Sequence, residues 1–87
     1  MRVRIVFLGP IAARRRPLEL DLDAERIGVA RLMQSLAPHI PDALMPGGRP
    51  RPGILVFING RDYRVYEEDD QLEGDVLVEV IQVFHGG

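Results

Sequence analysis

The side chains that carry most enzyme chemistry are scarce in this chain of 87 residues. It has one serine, Ser35, two histidines, His39 and His85, no cysteine, and no lysine, because all 11 basic residues are arginine. Without cysteine there are no disulfides, no thiolate nucleophiles and no thiolate metal ligands. Without lysine there is no Schiff base and no side-chain acceptor for an isopeptide bond. A Ser-His-Asp triad would have to use Ser35, which sits inside a helical pattern and lacks a nucleophile elbow. His39 and His85 lie far apart in sequence and read as surface histidines, so no metal site is expected. No phosphate loop or dinucleotide fingerprint is present, and Gly47-Gly48, between prolines, reads as a loop. A self-contained enzyme is not expected.

The remaining chemistry belongs to the main chain, at Gly86-Gly87. One reading of this pair is a fraying tail. The other follows from its setting, because a strand-like segment runs almost to it and leaves it as a short extended arm. Lacking Cβ atoms, such an arm can thread a narrow channel and let another protein's backbone approach. It would deliver the α-carboxylate of Gly87. A carboxylate is a poor electrophile; adenylation by an ATP-dependent partner makes it a good one, and incoming sulfur then gives a thiocarboxylate. With no cysteine, any sulfur the chain carries belongs at that end.

Composition sets the frame around this group. The length suits about one small domain, and 46% hydrophobic residues suit a packed core rather than disorder. The net charge of −2 lacks the basic excess of a nucleic-acid or anionic-membrane binder, so neither partner is expected. The longest aliphatic and aromatic run, Ile54 to Ile58, is far short of the ~20 residues of a membrane span. The chain opens Met-Arg-Val-Arg directly into a strand-like segment with no signal-peptide pattern, which predicts a cytoplasmic protein.

The elements that must position the tail follow from periodicity. Val3 to Leu8 reads as a strand ended by Gly9-Pro10, and Leu18 to Leu22 alternates apolar and acidic residues as a half-buried strand. Their connection carries Arg14-Arg15-Arg16, either a solvated turn or a basic patch for a partner's acidic groove. Asp23 is a candidate N-cap for a helix reaching Ala37, with Ile27, Ala30, Leu32 or Met33, Leu36 and Ala37 on its apolar face. Pro38 to Gly53, with five prolines, reads as a loop. Ile54 to Ile58 is a third strand, turned by Asn59-Gly60 into a short return strand at Tyr63 to Tyr66. Glu67-Glu68-Asp69-Asp70 reads as a solvated turn, Leu72 as a lone apolar anchor, and Val76 to Val83 as the last strand. The expected fold is an α+β roll, a mixed sheet of four or five strands with one main helix on one face and the last strand central beside the first. The domain is expected over 1–83, with 84–87 as a flexible tail.

Both alternating sets of the third strand are apolar. Ile54, Val56 and Ile58 can pack under the helix, and Leu55 and Phe57 must point away from it. In the last strand Glu79 marks Leu77, Glu79, Ile81 and Val83 as the outer set. If the two strands are near each other, Leu55, Phe57, Ile81 and Val83 form an exposed apolar patch leading to Phe84 and His85, a partner-binding surface. The alternative is that the loop 38–52 covers them.

Several segments carry a resemblance. Arg51-Pro52-Gly53-Ile54-Leu55-Val56-Phe57-Ile58-Asn59 resembles the "RPGILVLIN" stretch, and Phe84-His85-Gly86-Gly87 the "LHGG" tail, of the ubiquitin-related modifier. Asp62-Tyr63 stands where that family places Asp-Trp. Leu72-Glu73-Gly74-Asp75-Val76 resembles the leucine, turn and strand before the tail in the molybdopterin synthase small subunit. The first hairpin has only Gly9 before Pro10 where the modifier family has a glycine cluster. The chain thus resembles the ubiquitin-like β-grasp sulfur carriers, which also include the thiamine-pathway carrier. The resemblance implies a β-grasp fold and a non-catalytic carrier whose C-terminal glycine is adenylated by an E1-like enzyme and becomes a thiocarboxylate. It implies no cofactor bound by the chain itself, with ATP and a sulfur donor used by the activating partner. A downstream enzyme, such as the molybdopterin synthase large subunit or a tRNA thiolase, would accept the sulfur. Gly86 and Gly87 carry over from the motif. Conjugation of Gly87 to target lysines, or an interaction module with an inert tail, are the competing readings.

Overall fold

The computed structural model describes residues 1–83. Strand β1, Arg2–Leu8, buries Val3, Ile5 and Phe7 and exposes Arg2 and Arg4, as an alternating strand on one core must. Gly9, at φ 84°, and Pro10 turn the chain into a 3₁₀ segment, Pro10–Ala13, that buries Ile11. β2, Leu18–Asp21, returns antiparallel with Arg2 opposite Asp21 and Ile5 opposite Leu18. After the helix come β4, Ile54–Ile58, β5, Arg61–Asp62, and β7, Val76–Gln82. The five strands lie in the order β2-β1-β7-β4-β5. β1 and β7 are the central parallel pair, from Val3 opposite Val76 to Leu8 opposite Ile81. A mixed sheet with a helix on one face is the expected roll.

The β4–β5 hairpin turns at Asn59 and Gly60, with φ 51° and 80°, the left-handed pair that a tight hairpin requires. Asn59 also extends the β4–β7 ladder. Its amide N–H donates to the Leu77 carbonyl at 2.8 Å, and its Oδ1 accepts from the Leu77 N–H at 2.9 Å.

Helix α1, Val29–Leu36, lays Val29, Leu32, Met33 and Leu36 on the sheet's inner face, against strand residues such as Ile5, Ile58 and Val78. Fully burying one such side chain is worth about 1.5–3 kcal/mol. No polar or charged residue is buried among the described residues.

Three elements depart from expectation. The helix starts at Val29 rather than Asp23, because Arg26–Gly28 is a strand, β3, paired with β6, Gln71–Glu73. Ile27 faces Leu72 across this ribbon and both are buried, and that contact outweighs the capping chemistry of Asp23. Leu72, read as a lone anchor, is therefore half of a strand pair. The expected return strand at Tyr63 to Tyr66 is a 3₁₀ turn, Tyr63–Val65. Asp62 caps it, accepting from the Arg64 amide at 2.9 Å and from the Arg64 guanidinium at 2.7 Å, which holds the Asp62 carboxyl down at about 2.

The 38–53 segment is irregular but structural. Ile40, Ala43 and Leu44 are in the core. Gly48, at φ 97°, lies so close to α1 that a Cβ would meet the Met33 carbonyl carbon at 2.6 Å and the Gln34 nitrogen at 2.7 Å. On the other side, Arg15 ties the β1–β2 connection to this loop, with Nε 3.1 Å and Nη2 2.6 Å from the Asp42 carboxylate. The Arg15 guanidinium keeps the Asp42 carboxyl below its ordinary value. The arginine run is thus neither wholly solvated nor wholly free for a partner.

Two outcomes follow. Gly48→Ala combines a left-handed backbone with a clash against helix backbone, and should lower unfolding stability by about 2–5 kcal/mol in chemical denaturation. Asp42 has its folded-state pKa depressed, so its stabilisation is full above the unfolded carboxyl value of ~3.9 and is lost as pH falls through the lower folded value. Asp42→Asn should therefore be less stable than the parent at pH ~7. The gap should close in strong acid, as read from denaturation midpoints across pH.

Candidate functional site

Among the described residues, no helix lies over the sheet's outer face. Register places Leu8, Ile81 and Leu55 side by side across β1, β7 and β4, and in the next row Val6, Glu79 and Phe57. Neighbouring strands are ~4.8 Å apart, so each row is continuous. Leu8 is 44% exposed, Leu55 36%, Leu77 39% and Val83 36%, while Val6, Phe57 and Ile81 are half-buried. Leu55, Phe57, Ile81 and Val83, singled out by alternation, are thus on one face and form the expected patch. The 38–53 segment sends Ile40, Ala43 and Leu44 into the core, and Leu55 stays 36% exposed beside Met45 and Pro52.

The sequence reading missed Val6 and Leu8. Their signal was available, since both alternating sets of β1 are apolar from Ile5 to Leu8, the same feature that exposed Leu55 and Phe57 in β4. Only the parallel β1–β7 pairing brings them beside Ile81. The one carboxylate inside the patch is Glu79, half-buried between Val6 and Phe57. Further along the face the surface turns polar, with Arg4 and Glu19 paired at 3.5 Å and Arg2 and Asp21 at 3.9 Å.

The patch lies where β7 ends. Val83 is held there by a bond from its N–H to the Gly53 carbonyl at 2.9 Å. Gly9 packs so tightly on the Gln82 carbonyl that a Cβ could not be accommodated. Backbone from β1, β4 and β7 thus fixes the point from which residues 84–87 continue. Phe84, His85, Gly86 and Gly87 lie outside the described residues.

The other chemical candidates stay apart. Ser35 donates its hydroxyl to the Arg31 carbonyl at 2.9 Å, a bond within the helix. His39 is exposed at the end of the 3₁₀ turn after α1. No group of three or more His, Asp or Glu side chains that could hold a metal is found among the described residues. No helix there is long and apolar enough to cross a membrane.

The chain matches known proteins over its length. A family model, "Urm1 (Ubiquitin related modifier)", matches residues 6–87. A curated relative, ubiquitin-related modifier 1 homolog of Drosophila ananassae, is 34% identical over 79 residues, covering 85% of this chain and 77% of that protein. The solution structure of Urm1 from Trypanosoma brucei is similar with a TM-score of 0.64 at 30% identity, covering 99% of this chain and 95% of that one. The crystal structure of SAMP1 from Haloferax volcanii shares the fold alone, with a TM-score of 0.68 at 16% identity and full coverage of both chains. The five-stranded mixed sheet with its single helix is the ubiquitin-like β-grasp, and the chain belongs to the ubiquitin-related modifier family.

Proposed function

We propose that this chain is a sulfur carrier whose Gly87 carboxylate is activated by an E1-like enzyme. The observation that carries the reading is the apolar row Leu8, Ile81 and Leu55 at the end of β7, beside the point where the chain continues toward Gly86-Gly87. A partner seated on this row has the tail within reach. In the activation, a carboxylate oxygen of Gly87 attacks the α-phosphorus of ATP and pyrophosphate leaves. A sulfide-level sulfur from a donor then attacks the acyl carbon and AMP leaves, giving the thiocarboxylate. All the reacting groups but the carboxylate belong to the partner or its substrates. A downstream enzyme, such as a tRNA thiolase or a molybdopterin synthase large subunit, takes the sulfur. These steps belong in the cytoplasm, where ATP is available.

The same activated carboxylate would also serve conjugation to lysines of other proteins. Intact-mass measurement after incubation with ATP, a cognate E1-like enzyme and a sulfur donor separates the readings. The carrier gains the mass difference of sulfur for oxygen at Gly87. A modifier instead appears as adducts on target lysines, and an unchanged mass means an inert tail.

The patch has its own test. Phe57→Asp puts a charge between its cross-strand neighbours Glu79 and Asp62, beside Leu55 and Ile81 on the outer face, and leaves the inner core untouched. It should keep a cooperative thermal transition while thiocarboxylate formation falls about 30-fold or more, the size of an interface hot spot. Unchanged activation would exclude the patch as the docking face.

A further inference from the structure

The outer face carries one charge that its own chain does not match. Glu79 stands in the row between Val6 of β1 and Phe57 of β4, next to the apolar row of Leu8, Ile81 and Leu55. It is half-buried, and none of the ion pairs among the described residues includes it. The cations around it are committed elsewhere. Arg4, beside Leu77 in the adjoining row, is paired with Glu19 at 3.5 Å. Arg64 is paired at 2.7 Å with Asp62, which lies beyond Phe57 in the same row as Glu79. In the free protein the Glu79 carboxylate reaches water. The fully buried side-chain oxygen that lacks a partner among the described residues belongs to Gln82, not to Glu79.

A partner seated on Leu8, Ile81 and Leu55 also covers the row beside them, and strips that water away. A carboxylate that loses water without gaining a cation or several donors is strongly unfavourable. A wholly apolar partner would therefore be opposed at the centre of its own footprint. A second copy of this chain in two-fold contact across the face would bring another Glu79 into the same interface, like charge with like charge. A surface with a positive group at this point gains from the apolar row and from the charge together.

We propose that the outer face selects a partner surface that is apolar except for one arginine or lysine side chain, seated on Glu79 between Val6 and Phe57; this rests on reading the face as the docking site of the E1-like enzyme. Apolar contacts alone carry little directional information, so a row of aliphatic side chains can be met at several offsets. A cation on Glu79 together with an apolar surface on Leu8, Ile81 and Leu55 leaves one. In that register the partner lies over the end of β7, from which the chain continues toward Gly87.

The test is the affinity of the full chain for the cognate E1-like enzyme, measured without ATP. Glu79→Leu makes the middle row apolar throughout, and by leaving the partner's cation unpaired it should weaken binding about 30-fold or more. Glu79→Gln, close to the parent in shape, should weaken it in the same direction and gives the reading if Leu disturbs the fold. Raising ionic strength should weaken the parent more than either variant. Arg4→Gln, which removes only an exposed ion pair, should stay within about threefold of the parent. Binding by Glu79→Leu as tight as the parent's, or tighter, would overturn the proposal, because a partner without a cation gains when the carboxylate is removed. A loss with Arg4→Gln equal to that with Glu79→Leu would overturn it too, by making Arg4 the cation that answers Glu79. Phe57→Asp separates the two readings. If it binds poorly while Glu79→Leu binds well, the face docks the enzyme without a cation. If both bind like the parent, the face is not the docking site.

Discussion

The parallel pairing of β1 with β7 is the constraint on which the rest depends. It joins the two ends of the described chain through six residue pairs, and no local turn helps to make it. Such a contact must overcome the closure entropy of everything between, and the return comes from burial of Val3, Ile5 and Phe7 beside Val76, Val78 and Val80. Once the pair exists, β2 adds on one side by a short connection and β4 on the other. The helix then has one apolar surface to cover. The same pairing sets the outer face, since it brings Val6 and Leu8 to Glu79 and Ile81.

Much of this was legible in the residues. β4 spans Ile54–Ile58 as its apolar run and Asn-Gly turn require, and β1, β2 and β7 differ from their alternation patterns by a residue or two. What was not legible depended on contacts distant in sequence. The Asp23-Ala24-Glu25 start has the composition of a helix opening, yet Arg26–Gly28 is drawn into a ribbon by Leu72, more than forty positions away. Nothing local in Gln71–Glu73 marks a strand of three residues whose partner is so remote. Proline content identified 38–53 as irregular, but not that Ile40, Ala43 and Leu44 fill the core. Irregular backbone has no period from which to read a buried face.

The candidate site divides in the same way. Leu55, Phe57, Ile81 and Val83 were found because a strand apolar on both sides must leave one side unpartnered by the helix. Leu8 and Val6 carried the same signal, and their neighbours were fixed only by β1–β7 register. The tail's point of departure depends on backbone packing that no side chain announces, with Gly9 against Gln82 and Val83 bonded to Gly53. Glycine at position 9 is therefore a positioning feature as much as a turn former.

Arginine supplies every cation in the side-chain ion pairs described above, Arg4 with Glu19, Arg15 with Asp42 and Arg64 with Asp62 among them. A guanidinium stays protonated far into the alkaline range and has no free lone pair to offer an acyl carbon. The surface thus has charge complementarity with chemical inertness. If Gly87 is activated as proposed, that inertness has a plain result. An electrophile formed there would meet no lysine amine on its own molecule, and its acceptor would have to come from a partner.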